Sequence, residues 1–126
     1  LVLNPDTIWN SNYVKTIQKM TDFYFEKKIE NLLLVVNKNK SFDKRFKGDF
    51  ELKVDKLFRE KNNNYIYTGC QIVNKNLFNS IKDVSFSISK IWNNQINNQR
   101  LFGYESFDNF IHLTDLEIYN RLVKDQ

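Results

Sequence analysis

The run NLLLVVN at residues 31–37 constrains the fold more than any other part of the sequence. Its central five residues are all apolar, so a strand formed here has no polar face to turn toward water. Such strands lie in the middle of sheets whose two faces are both covered. The run LVLN at residues 1–4 has the same character. We therefore expect it to form a second central strand, parallel to the first.

The segment between these two runs predicts a helix. Lysines lie on one side of the predicted helix. The apolar residues lie on the other side and recur at helical spacing: Tyr13, Ile17, Met20, Phe23 and Tyr24. A strand, a helix and a second strand together make a βαβ unit. We expect its crossover connection to be right-handed, as almost all such connections are.

The rest of the chain predicts shorter elements. Alternating apolar residues over 49–60 predict a β-hairpin, and YIYTGCQIVN at 65–74 predicts a strand. Gly69 interrupts that strand, which indicates a bulge or a close approach by a ligand. We also expect three helices: a short one over 75–81, one over 87–96 capped by Ser87 or Ser89, and one over 114–125 capped by Thr114 or Asp115. Between the last two helices we expect strand-like pieces at 100–106 and 109–113. The predicted fold is a single α/β domain over 1–126, with a mixed β-sheet flanked by helices.

The charge and the counts of special residues exclude several classes of protein. A net charge of +4 permits attraction to anions, but no run of five basic residues is present, so nucleic acid is not an expected partner. The single cysteine and single histidine exclude an internal disulfide and a cysteine-based zinc site. No apolar stretch approaches the roughly 20 residues of a membrane helix, and no signal peptide pattern is visible. We expect a cytoplasmic protein with no membrane partner.

Asp6 is the first candidate for chemistry. It follows directly after the predicted strand LVLN, and open α/β sheets bind their ligands beyond the carboxyl ends of their strands. A carboxylate there suits a hard cation such as Mg²⁺, which bridges to phosphate groups. The alternative is that Asp6 makes an Asx turn or caps the next segment.

Four other residues have a functional and a structural interpretation. Gly48 could let the backbone approach a phosphate or a sugar, or it could form a turn. Glu60, which lies between two cations, could hold sugar hydroxyls, or it could lie at a solvated hairpin tip. His112 could be a metal ligand or a partly buried histidine with its own partners. Cys70 could act as a nucleophile paired with His112 if the two residues met, which nothing in the sequence requires, so it is best explained as a small residue of the core.

Four segments, taken in order, resemble the sugar-1-phosphate nucleotidyltransferases. They are LVLNPD, LLLVVNK with KGDFEL, YIYTGCQIVNKNLF and FIHLTDLEIYNRL, and together they extend over nearly the whole chain. Within that family the resemblance is to the branch of N-acetylmuramate-1-phosphate uridylyltransferase and mannose-1-phosphate guanylyltransferase-like proteins. The resemblance implies the C-terminal half of a nucleotide-diphospho-sugar transferase fold, which is Rossmann-like.

The same resemblance implies a reaction and its partners. An enzyme of this family forms a nucleotide sugar and pyrophosphate from a sugar-1-phosphate and a nucleoside triphosphate (NTP), with Mg²⁺. Its nucleotide-binding half precedes the segment that LVLNPD resembles. We therefore expect a partner in a missing N-terminal half or a complementary chain, and no activity from this chain alone. We also expect an uncovered sheet to make the chain self-associate as a homo-oligomer.

The resemblance also assigns roles to individual residues. Asp6 would be the catalytic residue that binds Mg²⁺, and His112 would take the place of a second metal-binding aspartate. The sugar and its phosphate would be bound by Asn4, Gly48, Asp49, Glu60, Lys61, Thr68 and Gly69, with Lys61 near the phosphate. The chain departs from the family at Pro5, where a glycine is usual, and at Asn62, where a proline is usual.

Two other functions remain open at this stage. The chain could be a non-catalytic module that binds a sugar phosphate or takes part in assembly. It could also be a basic domain, unrelated to the family, that binds anions or RNA. The last alternative predicts exposed aromatic residues beside a stripe of lysine and arginine.

Overall fold

The computed structural model describes residues 1–78, 88–113 and 115–124. Its strands are β1 (Val2–Leu3), β2 (Asn31–Asn37), β3 (Glu51–Lys53), β4 (Lys56–Phe58), β5 (Tyr65–Val73) and β6 (Phe102–Ser106). Its helices are α1 (Ser11–Glu26), α2 (Ile88–Asn97) and α3 (Leu116–Lys124), with short 3-10 turns at Lys38–Lys40 and Lys75–Phe78. The strands form one six-stranded mixed sheet in the order β1-β5-β2-β6-β4-β3. The α/β fold class with a mixed sheet and flanking helices is confirmed.

The strand β2 is the buried centre that its sequence predicts. It pairs antiparallel with β5 on one side and parallel with β6 on the other. Its side chains alternate between two hydrophobic clusters. Leu32 and Leu34 pack with Tyr13 and Met20 of α1, whereas Leu33 and Val35 pack with a cluster that includes Trp92 of α2. A helix on each face explains why this strand needs no polar side.

The strand β1 is not the buried central strand that the sequence predicts. Within the described ranges its one partner strand is β5, to which it runs antiparallel, and it lies at the edge of the sheet. Val2 and Leu3 are each 45% exposed. The prediction was wrong because an apolar run indicates burial but does not specify which strand lies beside it, and β5 takes the place between β1 and β2. Both β1 and β2 are antiparallel to β5, so the two strands are still parallel to each other.

Most of the other predicted elements are present where the structure describes them. The prediction of a strand at 109–113 was wrong: Phe110 and His112 form isolated bridges to two different segments, at Ser41 and Thr7, so no continuous strand forms. The predicted helix from residue 75 is a 3-10 turn over Lys75–Phe78. The hairpin is β3 and β4, and the amphipathic pattern near Tyr13 is α1. Asp115 caps α3, because its Oδ1 accepts a hydrogen bond from the backbone N–H of Ile118 at 3.1 Å. The other predicted caps are not formed or lie outside the described residues: α2 begins at Ile88, so Ser89 lies inside it, while Ser87, Thr114 and residues 79–81 are not described. None of the described helices is both long and apolar enough to cross a lipid bilayer.

The predicted irregularity at Gly69 is a bulge in β5. Along β2, Leu33 pairs with Gln71 but Val35 pairs with Tyr67, so β5 gains residues relative to its partner. Gly69 has φ of +95°, a conformation that other residues rarely adopt. The group that approaches it is Asn4: a Cβ added to Gly69 would lie 2.4 Å from the Asn4 Cβ. The bulge therefore fixes the chain just after β1.

Candidate functional site

One edge of the sheet collects the residues that the sequence singles out. The strands β1, β2 and β6 are parallel to one another, so their carboxyl ends lie toward the same edge. The segment with Asp6 follows β1, the turn Lys38–Lys40 follows β2, and the segment with His112 follows β6. This is the edge at which open α/β sheets bind ligands.

Asp6 is held in position through its backbone, and its side chain is left open. Its N–H donates to Asn4 Oδ1 at 3.1 Å, and its carbonyl accepts from the Leu113 N–H at 2.8 Å. The Asx turn at this point is therefore made by Asn4. Among the described residues, none donates a hydrogen bond to the exposed Asp6 carboxylate or forms an ion pair with it. A solvated carboxylate on a fixed backbone is a suitable ligand for Mg²⁺, which keeps several waters and needs only one or two carboxylates.

His112 lies on the neighbouring segment but faces an aromatic cluster. Thr7 and His112 form an antiparallel bridge, which joins the chain after β1 to the chain after β6. The imidazole packs edge-on against Phe46, with ring centroids 5.6 Å apart, and lies 6.2 Å from Phe110. Within the described part of the chain, no three His, Cys, Asp or Glu residues come together as a metal site. Asp6 is a donor of the type that Mg²⁺ prefers, and the roles of Asp6 and His112 as metal ligands stay predictions.

Three residues support the segment that carries Asp6. The Thr7 hydroxyl donates to the Thr68 carbonyl at 2.7 Å, and the Thr68 hydroxyl donates to the Leu34 carbonyl at 2.9 Å. The Asn4 N–H donates to the Gly69 carbonyl at 2.7 Å. Thr68 is only 1% exposed, so its hydroxyl group stabilises the sheet by bonding to β2. Asn4, Thr68 and Gly69 are thus brought together beneath Asp6. The sequence analysis missed Thr7, which has no motif of its own.

A cavity of about 250 Å³ contains a second group of predicted residues. Gly48 and Lys61 both line it. Lys38 and Lys47, which the sequence analysis missed, line it as well, together with Phe46, Asn62 and Asn63. Among the described residues that line it, three are lysines and none is a carboxylate. Phe46 lines the cavity and also contacts His112, which links the cavity to the segment after β6.

Gly48 is required by the packing of the chain against itself. A Cβ at this position would lie 2.1 Å from the carbonyl oxygen of Asn63, which is main chain and cannot move aside easily. The Asn63 side chain in turn accepts a hydrogen bond from the Glu60 N–H at 2.8 Å. The Glu60 carboxylate is paired with Lys53 at 2.7 Å, at an exposed position that does not line the cavity. Gly48 therefore sets the position of the loop that presents Lys61.

Asp49 also contacts its own chain. Its Oδ2 accepts a hydrogen bond from the Tyr67 N–H at 2.9 Å. Partial desolvation of this carboxyl group raises its pKa above the ordinary value, and the Tyr67 N–H and the charge of Arg59 oppose that rise. Asp49 thus joins the start of the hairpin to β5, next to the cavity.

An ion cluster around Arg45 fixes the loop that carries Phe46. The guanidinium binds both oxygens of the buried Asp43, at 2.9 and 3.0 Å, and Asp115 at 3.0 Å. Glu117 lies 3.5 Å away. The cap to the Ile118 N–H and the Arg45 charge lower the pKa of Asp115. This cluster ties the loop after β2 to the start of α3, and a sequence pattern could not show it because the partners lie some 70 positions apart.

The comparisons with known proteins support this architecture. The chain is similar to the crystal structure of a Bacillus anthracis protein described as a glucose-1-phosphate thymidylyltransferase, in complex with a sucrose. The TM-score is 0.64 at 17% sequence identity, and the match covers 96% of this chain and 52% of that one. The fold is therefore nucleotidyltransferase-like, and the chain spans about half the length of that structure. No family model matches the sequence, and no curated protein does.

Proposed function

We propose that this chain supplies the sugar-phosphate side of a sugar-1-phosphate nucleotidyltransferase. The observation that carries the proposal is the open carboxylate of Asp6, fixed at the carboxyl edge of a nucleotidyltransferase-like sheet. A cavity lined by three lysines lies at the loops of the same edge. Phosphoryl transfer needs a negative side chain that binds the metal cation and positive side chains that bind the phosphate. Asp6 would supply the first and the lysines the second.

The proposed reaction is a direct displacement. An oxygen of the sugar-1-phosphate attacks the α-phosphorus of an NTP, and the bond from that phosphorus to pyrophosphate breaks. Mg²⁺, when bound, would neutralise charge on the phosphate groups. Asp6 would hold the metal, with His112 as a second contact. Lys61, with Lys38 and Lys47, would bind the phosphate of the sugar substrate and keep it in position.

The remaining residues would shape the sugar side. Glu60 is exposed and can exchange its bond to Lys53 for sugar hydroxyls. Gly48 and Asp49 would form the adjoining wall. Asn4, Thr68 and Gly69 would act from beneath, by keeping the Asp6 segment against β5.

Binding of the NTP is assigned to polypeptide other than these 126 residues. This chain matches 52% of the structural neighbour, so an enzyme of that size needs about as much chain again. We propose that an upstream segment or a complementary chain supplies it. The chain alone is then expected to release no pyrophosphate from an NTP and a sugar-1-phosphate.

The test is Asp6→Asn in the protein with that half restored. Asparagine keeps the size of the side chain but removes the charge that Mg²⁺ requires, so turnover should be nearly abolished while the melting temperature stays unchanged. Asp22→Asn, an exposed position on α1, is the matched control and should retain full activity. His112→Ala should cost less activity than Asp6→Asn. Retained turnover in Asp6→Asn, with unaltered affinity for Mg²⁺, would refute the proposal.

A non-catalytic module is the second candidate function. The observation in its favour is that residues of this chain alone bring three lysines to one cavity. This alternative predicts that the isolated chain binds a sugar-1-phosphate and that Lys61→Gln weakens the binding. It also predicts that Asp6→Asn has no effect in any assembly that contains the chain.

A further inference from the structure

A second basic cavity, of about 390 Å³, lies between the loop after β2, the segment after β6 and the helix α3. It is distinct from the cavity with Lys61, although the turn Lys38–Lys40 contributes to both: Lys38 lines the first and Lys40 lines the second. The residues lining the second cavity are Asn39, Lys40, Ser41, Phe42, Lys44, Asn109, Ile111 and Arg121. None of them has a role in the proposed reaction.

The charged residues that line this cavity are cationic. Lys40, Lys44 and Arg121 line it, and among the described residues no carboxylate does. The acidic residues of the adjoining loop and helix, Asp43, Asp115 and Glu117, are all bound to Arg45. Like charges that lie close together repel one another, so an anion placed between them is bound favourably.

The cations are held in place by their own contacts. Lys44 Nζ donates to the Asn39 carbonyl at 2.9 Å, and the Arg121 guanidinium lies over the Phe42 ring, 5.2 Å from its centroid. The backbone beneath is fixed as well, since the Phe42 N–H donates to the Phe110 carbonyl at 2.8 Å. Walls that are ordered before a ligand arrives lose less entropy when it binds.

We propose that this second cavity binds a phosphate group, either as pyrophosphate or as a phosphate monoester. A guanidinium pairs with two phosphate oxygens at once, and lysines add point charges, so a multiply charged phosphate suits the set better than a carboxylate. The amides of Asn39 and Asn109 offer donors for the remaining oxygens. The volume is within the range of small-molecule sites and exceeds the needs of one inorganic phosphate. Phe42 and Ile111 leave an apolar wall for the rest of a monoester.

Calorimetric titration of the 126-residue chain tests the site, with pyrophosphate, glycerol phosphate and inorganic phosphate as probes at constant ionic strength. Arg121→Gln and Lys40→Gln should each weaken binding of the preferred probe about ten-fold or more, because each removes a charged hydrogen-bond donor. Lys124→Gln, on the same helix but outside the cavity, is the matched control and should change affinity by less than about two-fold. Lys61→Gln weakens the first cavity, so binding that remains in that variant and is still lost on adding Arg121→Gln should belong to this second site, which separates it from the proposed reaction.

Each other outcome overturns the proposal. No binding of any probe at millimolar concentration would show that the cavity takes no phosphate. Equal losses in Lys124→Gln and Arg121→Gln would show general charge attraction. A loss confined to Lys61→Gln would place the anion in the first cavity. Arg121→Lys guards against a folding defect, since it keeps the charge and should bind with intermediate affinity in a chain whose melting temperature is that of the wild type.

Discussion

Replacing Gly69 with alanine tests how the segment bearing Asp6 is held. Two costs are expected from the structure. The φ of +95° is unfavourable for alanine by about 1–3 kcal/mol. The new methyl group would also lie 2.4 Å from the Asn4 Cβ, and overpacking of this kind costs about 1–3 kcal/mol. Gly69→Ala should therefore lower the free energy of unfolding by about 2–6 kcal/mol, a large part of a typical domain's stability.

A double-mutant cycle with Asn4→Gly separates the two costs. The contacting atom is the Asn4 Cβ, which glycine lacks, so the clash disappears in that background while the strained φ remains. Gly69→Ala should then cost only about 1–3 kcal/mol, and the coupling energy between the two positions should be about 1–3 kcal/mol. Gly103→Ala in β6 is a comparison variant without backbone strain, because its φ lies outside the strained region and its added Cβ would meet the side chains of Leu57 and Leu52, so its penalty is one of packing alone.

Urea unfolding followed by far-UV circular dichroism measures all four members of the cycle. If Gly69→Ala is unfolded in plain buffer, the titration begins in trimethylamine N-oxide, which favours the folded state equally for each variant. A penalty below about 0.5 kcal/mol for Gly69→Ala would contradict the strained backbone. An equal penalty with and without Asn4→Gly would contradict the close approach of Asn4.

Two further predictions concern β5. Thr68→Val should lower the free energy of unfolding by about 1–3 kcal/mol, because the buried Leu34 carbonyl loses its hydrogen bond; unchanged stability with weaker sugar-phosphate binding would instead assign the hydroxyl to the substrate. Burial raises the pKa of Cys70 to about 11, so the folded chain keeps the thiol proton more tightly than the unfolded chain does. That contribution is complete below the unfolded pKa near 9 and is lost as pH rises toward 11, and the free energy of unfolding should fall by about 1 kcal/mol between pH 9 and pH 10. Burial also raises the pKa values of Tyr13 and Tyr67, which add a fall of their own in this range. Cys70→Ala should therefore make the total fall smaller by about 1 kcal/mol in urea titrations, and an unchanged fall in that variant would refute the assignment.

The sequence by itself determines the elements whose cause is local. The apolar run of residues 32–36 predicts a strand covered on both faces, and the helical spacing from Tyr13 predicts a helix with one apolar face. Gly69 marks the bulge because few other residues adopt its φ. The position of Asp6 directly after a strand predicts the edge of the sheet on which it lies.

Only the tertiary structure decides which segments meet. The place of β5 between β1 and β2, the carbonyl of Asn63 against Gly48, and the pairing of Arg45 with Asp115 all join residues far apart in the chain. The cationic residues of the two cavities, five lysines and Arg121 of α3, are assembled in the same way from separate segments. The physical reason is that periodicity and turn residues report how a segment is buried, whereas the partner that buries it is selected by hydrogen bonds and packing between distant segments.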